Sequence, residues 1–111
     1  VMNLIGEVEG RDVVIVDDEI DTAGTIVNAA QFVLSRGARR VYAMATHGIF
    51  SDPAVERLRA SPFEEILVTN TVHIPPERRL PNMRVLSVGP LLGEAIYRIH
   101  VGQSVGEMFD E

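Results

Sequence analysis

The sequence contains no cysteine, which removes disulfide frameworks and thiolate metal sites at once. It contains no lysine either: all ten basic residues are arginine. Schiff-base chemistry and a P-loop type of phosphate contact therefore cannot come from this chain. No apolar run approaches the roughly eighteen residues of a membrane span, and no signal-like stretch opens the chain. No membrane partner and a cytoplasmic setting are expected. Positive charge is also scarce, with sixteen acids against ten bases and a formal net charge of −6. The bases form only pairs, Arg39-Arg40 and Arg78-Arg79, which argues against nucleic acid as a partner. Internal repeats and low-complexity segments are lacking as well.

What is present is an ordinary globular interior. Hydrophobic residues make up 46% of 111 residues, enough for one domain with a real core, spanning 1–111. The pattern is organised around Val13 to Thr25, V-V-I-V-D-D-E-I-D-T-A-G-T. Val13 to Val16 are β-branched and apolar, as expected of a strand buried on both faces in a parallel sheet. Ile26, Ala29, Ala30 and Val33 then recur at helical spacing, and Gly37 stands where a helix would stop. The loop between them lies at a strand's carboxyl end, where open α/β sheets bind ligands.

That loop has two chemical halves. Asp17 and Asp18, when ionised, accept hydrogen bonds from neighbouring hydroxyls or hold the water shell of Mg²⁺. Asp21, Thr22, Ala23, Gly24 and Thr25 open a helix, offering successive backbone N–H groups, two hydroxyls and a glycine that admits close approach. A phosphorylated pentose satisfies both halves. Repulsion is the objection: a phosphate about 8 Å from a carboxylate costs about 2 kcal/mol per pair at an effective dielectric near 20. Charge-assisted hydrogen bonds return about 1.5–3 kcal/mol each, so binding is feasible and Mg²⁺ is expected to assist.

The remaining pattern continues the alternation of strand and helix. Leu4 and Ile5 suggest a strand-like start at Val1 to Gly6, and such an opening reads as a fragment of a longer protein. Val41 to Thr46 is a second strand, joined to the first by a parallel crossover. A short helix begins at Pro53, capped by Ser51 or Asp52. Glu65 to Thr69 and Arg84 to Val88 are further strands, separated by an irregular, proline-rich stretch from His73 to Met83. From Pro90, Leu91, Leu92, Ala95, Ile96 and Ile99 form a stripe expected to be buried in the core or an interface. His47 is expected to be a loop histidine bonded to backbone, and Arg78-Arg79 a solvated surface. His73 and His100 have no spacing for a metal site shared with His47. Met108 and Phe109 need another surface to pack on.

At Asp17 to Thr25 the run resembles the phosphoribosyl-pyrophosphate binding motif of the phosphoribosyltransferase fold. In the form D-D-x-I-D-T-A-G-T it is similar to the ribose-phosphate pyrophosphokinase family, also called phosphoribosyl pyrophosphate synthetases. Ala45 to Ser51 (A-T-H-G-I-F-S), Glu64 to Thr71 (E-E-I-L-V-T-N-T), Val85 to Val88 and Ala95 to Val105 also resemble family segments, in family order. The resemblance implies an α/β, phosphoribosyltransferase-type domain with a mainly parallel sheet flanked by helices. It would be the carboxy-terminal half of a two-domain enzyme.

The reaction implied is transfer of pyrophosphate from ATP to ribose 5-phosphate, giving phosphoribosyl pyrophosphate and AMP for nucleotide biosynthesis, with Mg²⁺. Asp17 and Asp18 would contact the ribose hydroxyls and the metal; Asp21, Thr22, Ala23, Gly24 and Thr25 would embrace the phosphate. The family's ATP site and catalytic basic loop lie outside the matched segment. This chain alone is therefore expected to bind sugar phosphate without synthesising the product, and no catalytic residue is assigned to it. Dimers assembled into a homo-hexamer are implied, with the tail contributing to a regulatory site; Ser104 is the candidate residue there. Gly106 and Met108 stand where relatives have Ser and Leu.

Three rival readings fit less well. A response-regulator receiver also begins with acids after an apolar strand, but it needs a phosphoacceptor Asp ending a later strand and a Lys. A catalytically silent regulatory subunit has no need of intact Asp17, Asp18, Asp21, Thr22 and Thr25. A transferase consuming phosphoribosyl pyrophosphate shares the central motif but not the later segments.

Overall fold

The computed structural model describes residues 2–110; Val1 and Glu111 lie outside the described residues. Strand β1 spans Asp12–Ile20 and leads through a short turn into helix α1, Gly24–Ser35. Strand β2 (Arg40–Gly48), helix α2 (Ala54–Arg59), strand β3 (Phe63–Thr69), strand β4 (Met83–Leu86) and helix α3 (Gly89–Val101) follow. Single 3₁₀ turns occur at Pro76–Arg78 and Gly106–Phe109. The four strands are parallel and lie in the order β1-β2-β3-β4. The fold is α/β, as the alternating pattern predicts.

The core lies between the sheet and α1 with α2. Val41, Ala43 and Ala45 of β2 and Ile66 and Val68 of β3 meet Ile26, Ala30 and Val33 of α1 and Ala54 and Leu58 of α2 in one buried cluster. Val13, Ile15, Met83 and Val85, on the flanking strands, pack against it. Phe50 is fully buried although its φ is +55°. Its N–H and that of Ile49 both donate to the Ile20 carbonyl, at 3.1 and 3.0 Å. The end of β2 is thereby tied to the end of β1.

Several expectations need correction. β1 does not end at Val16: Asp17, Glu19 and Ile20 pair with Ala45, His47 and Gly48, so the acids belong to the strand itself. Nor is β1 buried on both faces. It lies at the sheet's edge, and alternate side chains emerge on an uncovered face, where Val14, Val16, Met44 and Leu86 are exposed. A largely apolar hollow of about 200 Å³ lies there, lined by residues including Val16, Asp17, Met44, Leu67 and Leu86.

The stripe of α3 is not buried either; Leu91, Leu92, Ile96 and Ile99 are all exposed. The helix leaves β4 without folding back over the sheet. The radius of gyration is accordingly 16.8 Å, against about 13 Å for a compact chain of this length. No strand forms among residues 2–11. α2 has no side-chain cap; instead the Ser51 carbonyl accepts the Ala54 N–H at 2.9 Å.

Candidate functional site: a carboxylate pair beside an open helix end

A cavity of about 240 Å³ is lined by the continuous run Asp17 to Ile26. All seven residues anticipated for ligand binding, Asp17, Asp18, Asp21, Thr22, Ala23, Gly24 and Thr25, therefore share one cup. Parallel pairing with β2 carries the two aspartates to the rim, and a turn of three residues swings the chain into α1. Ser104 is not among the lining residues; it lies on the tail beyond α3, where Arg98 donates to its carbonyl at 2.9 Å.

The acidic side is pinned by its own backbone. Asp17 Oδ1 accepts the Asp18 N–H at 2.8 Å, and Asp18 Oδ1 accepts the Glu19 N–H at 2.9 Å. The neighbouring Asp17 carboxyl, then the Glu19 N–H, hold the Asp18 carboxyl below its usual range. Asp18 therefore stays an acceptor at neutral pH. With one oxygen of each carboxylate engaged, the others remain to meet a ligand. Two hard oxygen donors match the partial shell of Mg²⁺, an ion that keeps several waters and takes further oxygens from substrate phosphates. No group of three or more potential metal ligands occurs among the described residues.

The opposite side is an uncapped helix end. Ala23 precedes α1 with φ +68°, and no side chain caps the first turn. Among the described residues, none of the backbone N–H groups from Thr22 to Ile26 has a protein acceptor. Unpaired N–H groups converging with the positive end of the helix dipole suit an anion.

His47 differs from the expectation of a backbone contact. Its Nδ1 lies 2.7 Å from the Thr71 hydroxyl, and the hydroxyls of Thr71 and Thr69 lie 3.2 and 2.6 Å from the Thr46 carbonyl. This side-chain network joins the ends of β2 and β3 beside the cup. Arg79 is exposed, as expected, but Arg78 is only half-exposed and is not mere solvated surface. Arg78 donates to the Phe50 carbonyl and lies 3.4 Å from Asp52, while Arg79 Nε donates to the Ile74 carbonyl at 3.1 Å. Arg57 donates to the Thr22 carbonyl at 3.2 Å. Nothing in local spacing signals that contact, since 35 residues separate the partners.

A family model for the phosphoribosyl synthetase-associated domain matches residues 1–110. The chain belongs to this family. As a phosphoribosyl synthetase-associated domain, it is 57% identical over 98% of its length to a ribose-phosphate pyrophosphokinase of Gloeobacter violaceus, covering 33% of that protein. It is 49% identical to the ribose-phosphate pyrophosphokinase of Bacillus subtilis, covering 98% of this chain and 34% of that protein. The crystal structure of phosphoribosylpyrophosphate synthetase from Mycobacterium smegmatis superposes with a TM-score of 0.86 at 41% identity, over 88% of the domain and 33% of that chain. The domain thus spans about a third of the length of the curated relatives it matches. None of its helices, among the described residues, is long and apolar enough to cross a membrane.

Proposed function

We propose that this domain is the ribose 5-phosphate-binding, carboxy-terminal half of a cytoplasmic ribose-phosphate pyrophosphokinase. The full enzyme transfers pyrophosphate from ATP to the anomeric hydroxyl of ribose 5-phosphate, giving phosphoribosyl pyrophosphate and AMP. The observation that carries this reading is the single cup in which pinned carboxylates face unpaired helix-end amides. Asp17 and Asp18 accept the ribose hydroxyls and hold Mg²⁺. Asp21 and the N–H groups of Thr22, Ala23, Gly24 and Thr25, with the Thr hydroxyls, embrace the 5-phosphate.

Such a site works by positioning and by charge stabilisation. Mg²⁺, when bound, supplies the positive charge that phosphate needs beside this many acids. ATP and the catalytic basic groups belong to the rest of the enzyme, so the chain alone binds sugar phosphate without turning it over. The exposed stripe of α3 and Phe109 supports assembly into homo-oligomers, for which the family resemblance implies hexamers. Ser104, on the tail, is the candidate regulatory residue.

Calorimetric titration of the chain with ribose 5-phosphate, with and without Mg²⁺, tests the proposal beside a Thr25→Ala, Asp18→Asn double variant. Saturable binding strengthened by Mg²⁺ is expected. The variant should lose at least about tenfold, since a hydrogen bond to a charged group contributes about 1.5–3 kcal/mol. No heat with the folded wild-type chain would refute autonomous binding and favour a silent, structural role for the domain.

A further inference from the structure

The cup is braced from behind by a residue of the next crossover. Arg57, on α2, donates from Nη1 to the Thr22 carbonyl oxygen at 3.2 Å. The same nitrogen stands 3.0 Å from the place a Cβ on Gly24 would occupy. Arg57 has no ion-pair partner among the described residues, so its charge is not cancelled by a neighbouring carboxylate.

The geometry has a direct effect on the loop. A trans peptide is planar, and its C=O and N–H point in opposite directions. Holding the Thr22 carbonyl toward α2 therefore turns the N–H of the same peptide, that of Ala23, away from α2. Ala23 also carries the left-handed φ of +68° that alanine adopts only when its surroundings impose it. Arg57 supplies one such constraint. A neutral donor could make the same hydrogen bond, but only a cation also offsets the field of the four acids at Asp17, Asp18, Glu19 and Asp21.

We propose that Arg57 is a positioning residue for the cup: by gripping the Thr22 carbonyl across Gly24, it presets the Ala23 N–H toward the ligand's phosphate. The inference rests on the proposed binding of ribose 5-phosphate. It assigns Gly24 a second duty, leaving room for the guanidinium, besides admitting the ligand.

The test uses the 111-residue chain, amide proton–nitrogen spectra and titration with ribose 5-phosphate in Mg²⁺. In the wild type the Ala23 amide should shift downfield on binding, as an N–H donating to phosphate does. Arg57→Met should bind about tenfold more weakly, with the Ala23 shift reduced and the spectrum elsewhere that of the folded protein. Arg57→Lys, which keeps the charge but not the planar fork, should recover part of the affinity. Gly24→Ala, whose Cβ would stand 3.0 Å from the guanidinium, should cost less in the Arg57→Met background than in the wild type, because part of its effect runs through the same contact.

Unchanged affinity and an unchanged Ala23 shift in Arg57→Met would overturn the inference while leaving the binding proposal intact. Fully additive losses from Arg57→Met and Gly24→Ala would also overturn it. A wild-type chain that is folded and takes no ribose 5-phosphate would overturn both.

Discussion

Gly48→Ala is the substitution whose outcome the structure determines most sharply. In an ordinary strand this change reduces the freedom of the unfolded chain and stabilises by about 0.4–1 kcal/mol. Here the added Cβ would lie 2.6 Å from Phe50 Cε2, 2.9 Å from Cζ and 3.3 Å from Ile74 Cδ1. Two of those distances are well inside the roughly 3.5–4.0 Å of an optimal carbon contact. The ring has nowhere to go. Phe50 is completely buried, its N–H is bound to Ile20 and its carbonyl to Arg78.

Overpacking of this kind costs about 1–3 kcal/mol, and a ring fixed at both ends of its residue places the expectation in the upper half, about 2–3 kcal/mol. For a domain of this size that lowers Tm by about 8–15 °C. Urea and thermal unfolding followed by circular dichroism measure it. Phe50→Leu in the Gly48→Ala background should cost less than Phe50→Leu alone, because the shorter side chain relieves the clash. Because Ile20 closes the acidic strand of the cup, Gly48→Ala should weaken ribose 5-phosphate binding too. A variant as stable as wild type, or more so, would refute the packing described for the end of β2.

Three other outcomes concern the side chains of Arg78, Asp12 and Ile96. Arg78→Met removes the donor to the Phe50 carbonyl and should cost about 1–2 kcal/mol in urea unfolding, whereas Asp52→Asn, altering only an exposed partner at 3.4 Å, should change stability by less than about 0.5 kcal/mol; equal costs would show the ion pair to be the active element. The bidentate contact of Arg39 with Asp12, at 2.9 and 2.7 Å, depresses the Asp12 carboxyl, as the Asp17 carboxyl and the Glu19 N–H depress Asp18. A depressed carboxylate contributes stability above its unfolded value of about 3.9 that is lost as pH falls through the lower folded value; urea midpoints measured downward from about pH 5 should therefore decline, less steeply in Asp12→Asn, and an identical slope would exclude that pair as a cause. Ile96→Glu on the exposed face of α3 should alter the stability of the monomer by less than about 0.5 kcal/mol while reducing self-association in sedimentation velocity, and unchanged association would remove α3 from any interface.

How much of this was legible in the sequence depends on how far apart the partners lie along the chain. The cup was legible because its lining is one continuous segment, Asp17 to Ile26. A β-branched run, two acids and a small-residue turn encode it locally. The contribution of Arg57 was not, because its contact spans 35 residues and carries no periodic signal. Arg78 reads as a surface charge in a proline-rich loop until the carbonyl of Phe50 is seen within its reach. Asp17 to Glu19 read as loop because acids are rare inside strands, yet pairing with β2 prevails there. Val14, Val16 and the stripe of α3 have apolar side chains that predict burial, and sequence pattern does not identify the surface that would bury them.

The uncovered side of the sheet bears on how ligand affinity is to be understood. Asp17 belongs to both hollows, the acidic cup and the apolar depression between Val16, Met44 and Leu86. One edge strand thus serves two environments, with Asp17 common to both. Free energy spent or gained on one side of that strand is felt on the other, because β1 cannot fray toward solvent without carrying the carboxylates out of alignment. Packing a hydrophobic body against Val14 and Val16 would restrain those excursions and make the carboxylates a stiffer receptor for the sugar proposed above. On the proposed reading, affinity for sugar phosphate is accordingly a property of both sides of one strand, and Val14, Met44 and Leu86 can be altered without changing any residue that lines the cup.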